Sequence, residues 1–526
     1  MKVLKFGGSS VGTPASIRNV KNIAERTGCP TVVVVSALGG VTDTLIAVSA
    51  QAAAGDNSYR STVDGLHDRH RHMIDEVIPA ERRDNLNRRI DELMAELHSI
   101  LHGVFLIHEL TPKTADAIVA YGERLSSLIC SELIEDGRHF DSRSLIKTRK
   151  QDNKHLTDFE TTNRLVREAL AATDGVAVLG GFISSDLDTG VTTNLGRGGS
   201  DYTAAIIAAA LDAEALEIWT DVDGFMTADP RVIPSAYTIA QLTYEEAMEL
   251  CNFGAKVVYP PTIYPVCVKD IPIYVKNTFN PSAKGTVISR RTEVSDRPIR
   301  GISSVNDMSM VTVSGPSMVG VVGVNRRIFG TLTTGGVSVF MVAQTSSETS
   351  TSLCITPEDG PRACRLLDAE FAKEMKDGAM NATQLSEGLA AVAIVGERMK
   401  HTPGIAGKLF SVLGRNGISV CALAQGALEM NISFVIDRGQ LRKALSVLHD
   451  SFFLSEYQEL NLFLCGTGTV GNCLLEQIAA QREPLMKERR LKINLVGVSG
   501  RSAAAFDRNG IDPAHYREAM KTGGPG

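Results

Sequence analysis

The sequence lacks several features that would point to a membrane, secreted or nucleic-acid-binding protein. Its 526 residues include one tryptophan and 5% aromatic residues. No uncharged apolar run reaches the ~18–20 residues that cross a bilayer. The opening residues MKVLKFGGSS contain no long apolar segment and no small-residue cleavage site, which argues against a signal peptide. The net charge of −6 supplies no basic surface, so we expect neither a membrane nor a nucleic-acid partner.

Paired cysteines are also missing. The nine cysteines are scattered from Cys29 to Cys473 and contain no C-x-x-C pair. We therefore expect no disulfide framework, no metal held by the protein itself and a cytoplasmic location. His67, His70 and His72 fall on separate faces of one helix, which predicts a solvated helix surface and not a metal site.

Residues 1–290 alternate β-branched runs with helix-period segments. Strands are predicted at Lys2–Phe6, Thr31–Ser36, Val176–Ile183, Ala215–Thr220 and Ile271–Lys276, and helices at Asp201–Asp212 and Tyr244–Asn252. This alternation predicts an α/β fold whose mostly parallel sheet is covered on both faces and binds ligands beyond its carboxyl ends. Residues 56–135 are polar, rich in Arg and His and helix-periodic, and we expect them to form a helical insertion.

Residues 300–455 contain an internal repeat. The 27-residue segments that start at Phe329 and Phe410 are offset by 81 residues and are identical at 10 positions. Each segment has the pattern helix, glycine turn, strand, loop, strand, which predicts two small βα units that pair. Gln344 and Gln425 end equivalent apolar strands, either as ordinary strand ends or as matched polar anchors for a ligand.

The last segment, residues 458–526, has the pattern of a dinucleotide-binding unit. The predicted order is strand Asn461–Cys465, the glycines Gly466, Gly468 and Gly471 of GTGTVG, helix Asn472–Gln481 and strand Lys492–Val498. A lone G-x-G-x-x-G is a weak signal, but the flanking strands and helix strengthen it. No acidic residue ends the second strand and Arg501 follows it, which favours NADP(H) over NAD(H). With 61 residues from Gly466 onward, we expect only the opening of such a domain.

Two glycine-rich segments carry charged side chains suited to phosphate chemistry. Lys5 precedes Gly7 and Gly8, where backbone N–H groups beside a lysine can receive a phosphoryl group. An ordinary strand-to-helix turn is the alternative. The segment GRGGSD, with Arg197 and Asp201, runs into a helix whose N-terminus attracts anions. Asp201 is suited both to capping that helix and to catalysis.

Several motifs occur in the order typical of one family. Residues 1–290 contain, in sequence, KFGGSSV, SALGGVTD, YGERLS, GGFI, GRGGSD, TDVDG…TADPR and FGAKV, and they resemble the aspartate kinases of the amino-acid kinase family. The repeat resembles tandem ACT regulatory units, and the GTGTVG segment resembles the bifunctional aspartate kinase–homoserine dehydrogenases. The resemblance implies a three-layer kinase domain, then ferredoxin-like ACT units, then the start of a Rossmann domain.

The resemblance implies that ATP with Mg²⁺ phosphorylates the β-carboxylate of L-aspartate, the first step of lysine, threonine and methionine biosynthesis. The implied catalytic residues are Lys5, Gly7, Gly8 and Asp201. The implied aspartate site consists of Thr42, Glu123, Phe182, Arg197 and Ser200, with Arg197 on the α-carboxylate and Glu123 on the α-amino group. The implied ATP site consists of Lys5, Gly8, Thr220, Asp221, Arg231 and Lys256.

The resemblance also implies feedback regulation and assembly. Gln344 and Gln425 become candidate effector contacts, with threonine as the expected effector, and paired ACT sheets imply a homo-oligomer, either a dimer or a tetramer. Met226 stands where the family commonly has Tyr, and Tyr259 where it commonly has His. The alternatives are a catalytically weak amino-acid sensor, a monofunctional aspartokinase, and an oxidoreductase of which this segment holds only the beginning.

Overall fold

The computed structural model describes residues 1–27, 30–151, 154–255, 257–292, 297–426, 430–454, 458–489 and 491–522. The chain forms two compact units. The first unit consists of Met1–Gly407 and Ile418–Arg442, and the second of Lys408–Gly417 and Lys443–Gly526.

The α/β part of the first unit is built from short strands and amphipathic helices. Its strands are β1 Lys2–Phe6, β2 Thr31–Val35, β3 Gly137–Phe140, β4 Lys147–Gln151, β5 Lys154–Thr157, β6 Val176–Gly180, β7 Ile183–Asp186, β8 Thr192–Asn194, β9 Ala215–Thr220, β10 Gln241–Thr243, β11 Ile273–Asn277 and β12 Thr286–Ser289. Its helices are α1 Gly8–Val11, α2 Pro14–Glu25, α3 Val41–Ala53, α4 Tyr59–Val77, α5 Ala80–Ile107, α6 Pro112–Val119, α7 Tyr121–Leu133, α8 Ser142–Leu145, α9 Phe159–Leu170, α10 Gly199–Ala210, α11 Tyr244–Asn252 and α12 Pro260–Val268.

The main sheet has eight strands in the order β10-β12-β11-β9-β1-β2-β6-β3. All neighbours from β11 to β3 are parallel, and β12 runs antiparallel to β11. Side chains of β2 alternate between two apolar clusters, with Val33 and Val35 in one and Val32 and Val34 in the other. All four valines are fully buried, as expected for a central parallel strand covered on both faces. The predicted sheet class is confirmed.

One predicted strand is wrong in its extent. The range Val176–Ile183 divides into β6 and β7, because Phe182 adopts a left-handed φ of +66° that an extended strand does not accommodate. After this break, β7 joins a separate four-stranded sheet in the order β5-β4-β7-β8. The break leaves Phe182 at the carboxyl edge of the main sheet.

Helices α4 to α7 occupy the range 56–135 and pack into the same core as one face of the sheet. The prediction of a solvated histidine surface is wrong for His70, whose side chain is fully buried. Its ring Nδ1 lies 2.7 Å from the Leu66 carbonyl oxygen, and burial lowers the pKa of His70 to about 4. His67 lies 2.7 Å from Asp91 of α5. His67 therefore links α4 to α5, while His70 is bonded within α4.

The repeat region forms one antiparallel sheet of six strands in the order β14-β15-β13-β16-β18-β17. The strands are β13 Gly301–Ser314, β14 Met341–Gln344, β15 Ser350–Ile355, β16 Gln384–Val395, β17 Ala422–Gln425 and β18 Asn431–Asp437. The helices are α13 Val324–Thr334, α14 Gly360–Glu370, α15 Ala372–Lys376, α16 Ile405–Arg415 and α17 Leu441–His449. The two repeats meet through β13 and β16, their long first strands. The predicted pairing of the two repeats therefore occurs within a single chain.

The second unit contains a small sheet in the order β19-β20-β21. Its elements are β19 Gln458–Cys465, α18 Thr469–Arg489, β20 Leu491–Ser499, β21 Ala504–Ile511 and α19 Tyr516–Thr522. Strands β19 and β20 are parallel, and β21 is antiparallel to β20. A β-carbon on Gly471 would lie 2.0 Å from the Gly466 carbonyl oxygen, so glycine is required where α18 leaves the turn. The assignment of this unit to a Rossmann domain stays a prediction.

Candidate active site

A cleft of about 370 Å³ opens where the carboxyl ends of β1, β2 and β6 meet the N-terminus of α10. Ligands of open parallel sheets bind at this edge because the loops there converge. Eight of the residues predicted from the sequence line this cleft: Lys5, Gly8, Thr42, Glu123, Phe182, Arg197, Ser200 and Asp201. The structure therefore brings the predicted aspartate site and the predicted catalytic pair together.

A lysine–aspartate ion pair lies at the centre of the cleft. The Nζ atom of Lys5 is 2.7 Å from Oδ1 of Asp201, and both side chains are about nine-tenths buried. Lys5 is held in β1 between β2 and β9, while Asp201 lies in the first turn of α10. Gly198 precedes this helix with a φ of +69°, a conformation that glycine adopts without strain. The glycine loop thus turns the chain so that Asp201 faces Lys5.

The two glycines after Lys5 differ in their surroundings. The Gly7 N–H donates a hydrogen bond to the Trp219 carbonyl oxygen at 3.2 Å, so it is engaged within the protein. Gly8 begins α1 and lines the cleft. A β-carbon on Gly8 would lie 3.1 Å from the Ala37 carbonyl oxygen. Of the two predicted phosphoryl contacts, this geometry favours Gly8.

Glu123 is a buried carboxylate beside the ion pair. The side chain extends from α7, and the Ala37 N–H donates to its Oε1 at 3.1 Å. Its Oε2 atom is buried and has no hydrogen-bond partner among the described residues. Burial raises the pKa of Glu123 to about 7, although the Ala37 hydrogen bond and the charge of Lys5 oppose that rise. An unpaired buried carboxylate oxygen at a cleft is suited to receiving a cationic group.

Phe182 and Ser200 form the wall between β6 and α10. The Phe182 N–H donates to Thr203 Oγ1 at 3.0 Å, which holds the residue in its left-handed conformation. Such a conformation costs about 1–3 kcal/mol and is commonly retained at functional sites. Ser200 is buried so closely against Gly181 that a β-carbon there would lie 2.6 Å from it. The backbone at this wall therefore has no room for larger side chains.

Arg197 lies in the same loop but is exposed. No carboxylate lies within ion-pair distance of its guanidinium in the part of the chain that the structure describes. A planar guanidinium at the mouth of the cleft is therefore available to a carboxylate of a bound ligand. Thr42, in the first turn of α3, borders the opposite side of the cleft.

Of the predicted nucleotide residues, Lys5 and Gly8 line this cleft, whereas Thr220, Asp221 and Arg231 are not among its lining residues. Thr220 ends β9, next to Trp219, which pairs with Phe6 of β1, so it shares the carboxyl edge of the sheet with the catalytic pair. Its hydroxyl donates to Asp221 at 3.2 Å. Arg231 is exposed and paired with Asp229 at 2.8 Å. Lys256 lies outside the described residues.

The two departures from the family pattern occupy different places. The Thr238 hydroxyl lies 3.5 Å from the sulfur of Met226, so this methionine packs within the nucleotide loop. Tyr259 lies directly against Gly198, where a β-carbon would be 2.3 Å from the Tyr259 side chain. Tyr259 therefore supports the loop that carries Arg197.

The loop Ser36–Gly40, which follows β2, was not assigned a role from the sequence. It lines the cleft, and its Ala37 N–H fixes Glu123. Its sequence SALGG is part of the motif SALGGVTD, but the residue type does not show which backbone N–H group will donate to a side chain.

No group of three or more His, Cys, Asp or Glu side chains among the described residues is arranged to hold a metal ion. The helices that the structure describes are all too short or too polar to cross a membrane.

Comparison with known proteins shows the family to which the chain belongs. A model described as "Amino acid kinase family" matches residues 1–277, more than half of the chain, and an ACT domain model matches residues 311–371 and 392–452. The chain belongs to the amino acid kinase family. Tandem ACT domains follow its kinase domain.

Individual relatives narrow the comparison. The chain is 32% identical over 538 residues to bifunctional aspartokinase/homoserine dehydrogenase 1, chloroplastic, of Arabidopsis thaliana. The aligned region covers 99% of the chain and 58% of the relative. It is also 30% identical to aspartokinase 1, chloroplastic, of the same plant, in an alignment that covers 86% of the chain and 80% of the relative. The chain thus spans little more than half the length of its bifunctional relative.

A solved structure shares the fold. The crystal structure of E. coli aspartokinase III in complex with aspartate and ADP (R-state) superposes with a TM-score of 0.73 at 28% identity. The match covers 86% of this chain and all of the aspartokinase III chain. The α/β sheet domain followed by ACT units is therefore the architecture of this chain and of that enzyme.

Proposed function

We propose that this chain is an aspartate kinase, which transfers the γ-phosphoryl group of ATP to the β-carboxylate of L-aspartate. The observation that carries the proposal is the Lys5–Asp201 ion pair in one cleft with a Glu123 oxygen and an Arg197 guanidinium that have no ionic partner among the described residues. In this cleft Arg197 can bind an anionic group, Glu123 can bind a cationic group, and the Lys5–Asp201 pair forms the reactive centre. L-aspartate presents two carboxylates and one ammonium group to match them.

The substrate is bound through its charged groups. Arg197 pairs with the α-carboxylate, because its planar fork matches two carboxylate oxygens. The free Oε2 of Glu123 receives the α-ammonium group. Thr42, Phe182 and Ser200 border the remaining space and direct the β-carboxylate toward Lys5. These roles are supported by the shared cleft and by the relatives' names.

The transfer step needs charge neutralisation and alignment more than proton transfer. The β-carboxylate has lost its proton at neutral pH, since its ordinary pKa is ~3.9. Its oxygen forms the new bond to the γ-phosphorus as the bond to the β,γ-bridging oxygen breaks and ADP leaves. Lys5 neutralises the phosphoryl oxygens, Asp201 orients Lys5, and the Gly8 N–H is available to the same oxygens. Mg²⁺ arrives with ATP as part of the substrate.

We place the nucleotide site at the carboxyl edge of the main sheet, where the end of β9 lies beside the end of β1, which carries Lys5. We assign Thr220, Asp221 and Arg231 to ATP together with Lys5 and Gly8, and Lys256 is retained from the motif alone. Arg231 must leave Asp229 to reach a phosphate, because the two are paired at 2.8 Å.

Hydroxamate formation in the presence of ATP, Mg²⁺ and L-aspartate tests the proposal directly. Turnover that depends on both substrates, and that is lost when glutamate replaces aspartate, is the expected result. A folded protein that binds ATP and aspartate without turnover would instead be the amino-acid sensor named among the alternatives. Threonine, lysine and methionine are then titrated separately against the kinase activity.

The KM for aspartate is expected to depend on pH through Glu123. Its pKa of about 7 means that the carboxyl is protonated below pH 7 and must lose its proton to receive an ammonium group. The KM should therefore fall about tenfold per pH unit as the pH rises toward 7, and then level off. Initial rates from pH 5.5 to 7.5 at saturating ATP measure it. Glu123→Gln is the control, with a high KM that does not vary with pH; a flat profile in the unmodified protein would contradict the assignment.

Threonine inhibition is assigned to the two matched glutamines. Gln344 ends β14 and accepts a hydrogen bond from Asn325 of α13 at 3.2 Å, and Gln425 ends β17 at the opposite edge of the sheet. Both side chains are exposed. A ligand held there inhibits by favouring a less active arrangement, with a coupling of ~1–3 kcal/mol.

Gln344→Ala and Gln425→Ala are each expected to raise the half-inhibitory threonine concentration about tenfold, since such a coupling corresponds to ~5–150-fold in affinity. Kinase activity without threonine should persist. Gln384→Ala, at the exposed start of β16, is the matched control. Unchanged inhibition in both variants would make these glutamines ordinary strand ends.

The remaining assignments concern a longer protein in which this chain would be fused to a homoserine dehydrogenase. Such a fusion would add a nicotinamide cofactor, which supplies hydride transfer. The turn residues fit a pyrophosphate, because β-carbons on Gly466 and Gly468 would project into open space. We retain NADP(H) over NAD(H) because of Arg501, and a homo-oligomer because of the ACT units. The cytoplasmic location stays a prediction, since the two plant relatives are chloroplastic.

A further inference from the structure

The two glycine loops that border the cleft pack directly on each other. A β-carbon on Gly39 would lie 3.2 Å from the Gly8 carbonyl oxygen, and one on Gly8 would lie 3.5 Å from the Gly39 α-carbon. A β-carbon on Gly12, which ends α1, would lie 3.6 Å from the Gly39 nitrogen. The backbones therefore touch with no side chain between them, and small shifts of one loop displace the other.

A single arginine from the helical insertion holds both loops. The Nη2 atom of Arg69 donates to the Gly39 carbonyl oxygen at 2.9 Å and to the Gly12 carbonyl oxygen at 3.3 Å. Arg69 is half-buried on α4 and approaches the loops from outside the cleft. It is not among the residues that line the cleft. Its guanidinium is thus a bridge between two backbones and not a contact for substrate.

The helix that carries Arg69 is itself fixed. The next residue, His70, is fully buried with its ring against the Leu66 carbonyl oxygen. Two residues before Arg69, His67 lies 2.7 Å from Asp91 of α5. Arg69 therefore extends from a firm support, which a positioning residue requires.

The groups that depend on this bridge belong to the reaction. Gly8 follows Lys5 on one loop, and Ala37, whose N–H fixes the Glu123 carboxylate at 3.1 Å, lies on the other. The Gly8 β-position lies 3.1 Å from the carbonyl oxygen of Ala37, so the two loops are aligned where substrate groups meet. Loss of the bridge would let both loops move without removing any group that touches substrate.

We propose that Arg69 is a positioning residue for phosphoryl transfer, which aligns the Gly8 loop with the Ser36–Gly40 loop through the Gly12 and Gly39 carbonyl oxygens. The inference rests on the proposed aspartate kinase function. Misalignment of reacting groups by about 1 Å costs on the order of 10²-fold in rate. The largest effect is expected on kcat, with a smaller rise in the KM for aspartate because Ala37 fixes Glu123. The nucleotide loop after β9 is not attached to this bridge.

The test compares Arg69→Met with Arg71→Gln, which removes a guanidinium two residues away on the same helix. Arg69→Met is expected to lower kcat about 10²-fold, with the KM for ATP changed less than about threefold. In Arg69→Ala, which vacates the side-chain site, methylguanidinium at millimolar concentration should restore a measurable part of the lost kcat. Arg71→Gln should keep the kcat of the unmodified protein. A purely structural role would lower the midpoint of thermal unfolding without rescue.

An Arg69→Met kcat equal to that of Arg71→Gln, or a lowered kcat of Arg69→Ala that methylguanidinium leaves unchanged, would overturn the inference. If Arg69→Met does not fold, Arg69→Lys takes its place, because the shorter lysine side chain does not carry its ammonium to the Nη2 position that bonds both carbonyl oxygens. A kcat of Arg69→Lys equal to that of the unmodified protein would then overturn it. Inactivity of the unmodified protein toward ATP and aspartate would instead refute the kinase function itself.

Discussion

Replacing Lys5 or Asp201 with alanine is expected to lower kcat by roughly 10²–10³, the usual loss when a principal charge contact to a transition state is removed. Lys5→Ala removes the cation that neutralises the transferring group. Asp201→Ala leaves that cation in place but removes the carboxylate, 2.7 Å away, that orients it. The two losses should not add in the double variant, because each acts through the same ion pair.

Steady-state hydroxamate formation at saturating ATP and aspartate measures these losses. Lys21→Ala removes an exposed lysine of α2, and Asp212→Asn changes an exposed carboxylate just beyond the other end of α10. Both control variants should keep their kcat. Thermal unfolding accompanies each assay, since breaking a mostly buried pair leaves one charge without its partner. A near-normal kcat in folded Lys5→Ala or Asp201→Ala would remove this pair from the mechanism.

The central sheet could be predicted because burial on both faces leaves a visible pattern. Strand β2 has the nearly continuous apolar sequence TVVVV, and β1 has the sequence KVLKF, in which three of five residues are apolar. The carboxyl ends of these two strands fix where Lys5 and the Ser36–Gly40 loop meet. The edge strand β10 and its neighbour β12 contain only three and four residues and give no comparable signal. The order of strands is set by tertiary contacts that no local pattern records.

Parts of the site escaped prediction because they depend on backbone geometry. The left-handed Phe182 divides a continuous apolar run into two strands, although its residue type is typical of a strand interior. The N–H of Gly7 is engaged by Trp219, while Gly8 next to it lines the cleft. The sequence GG does not distinguish these two donors. Side chains were found more readily, since Glu123 and Asp201 carry their chemistry in their residue type.

Arg197 gives the second large effect, and it should appear in KM and not in kcat. Arg197→Met is expected to raise the KM for aspartate roughly 10–100-fold, because hydrogen bonds to charged groups contribute ~1.5–3 kcal/mol. Arg197→Lys keeps the charge but loses the planar fork, so an intermediate rise is expected. The KM for ATP should change little in either variant. The exposed guanidinium has no protein carboxylate to release among the described residues, so the change reports ligand contact alone.

Initial rates with aspartate varied at saturating ATP, and then with ATP varied at saturating aspartate, separate the two constants. Arg164→Lys, on an exposed arginine of α9 paired with Glu168, is the matched control and should change neither. The Arg197 loop also supports α10, and Tyr259 packs against its Gly198, so a general disturbance would affect both substrates and Asp201 together. Equal increases in the two KM values would therefore assign Arg197 to the nucleotide or to the shape of the loop. A rise confined to aspartate would place the α-carboxylate at the mouth of the cleft, with the β-carboxylate directed inward toward Lys5.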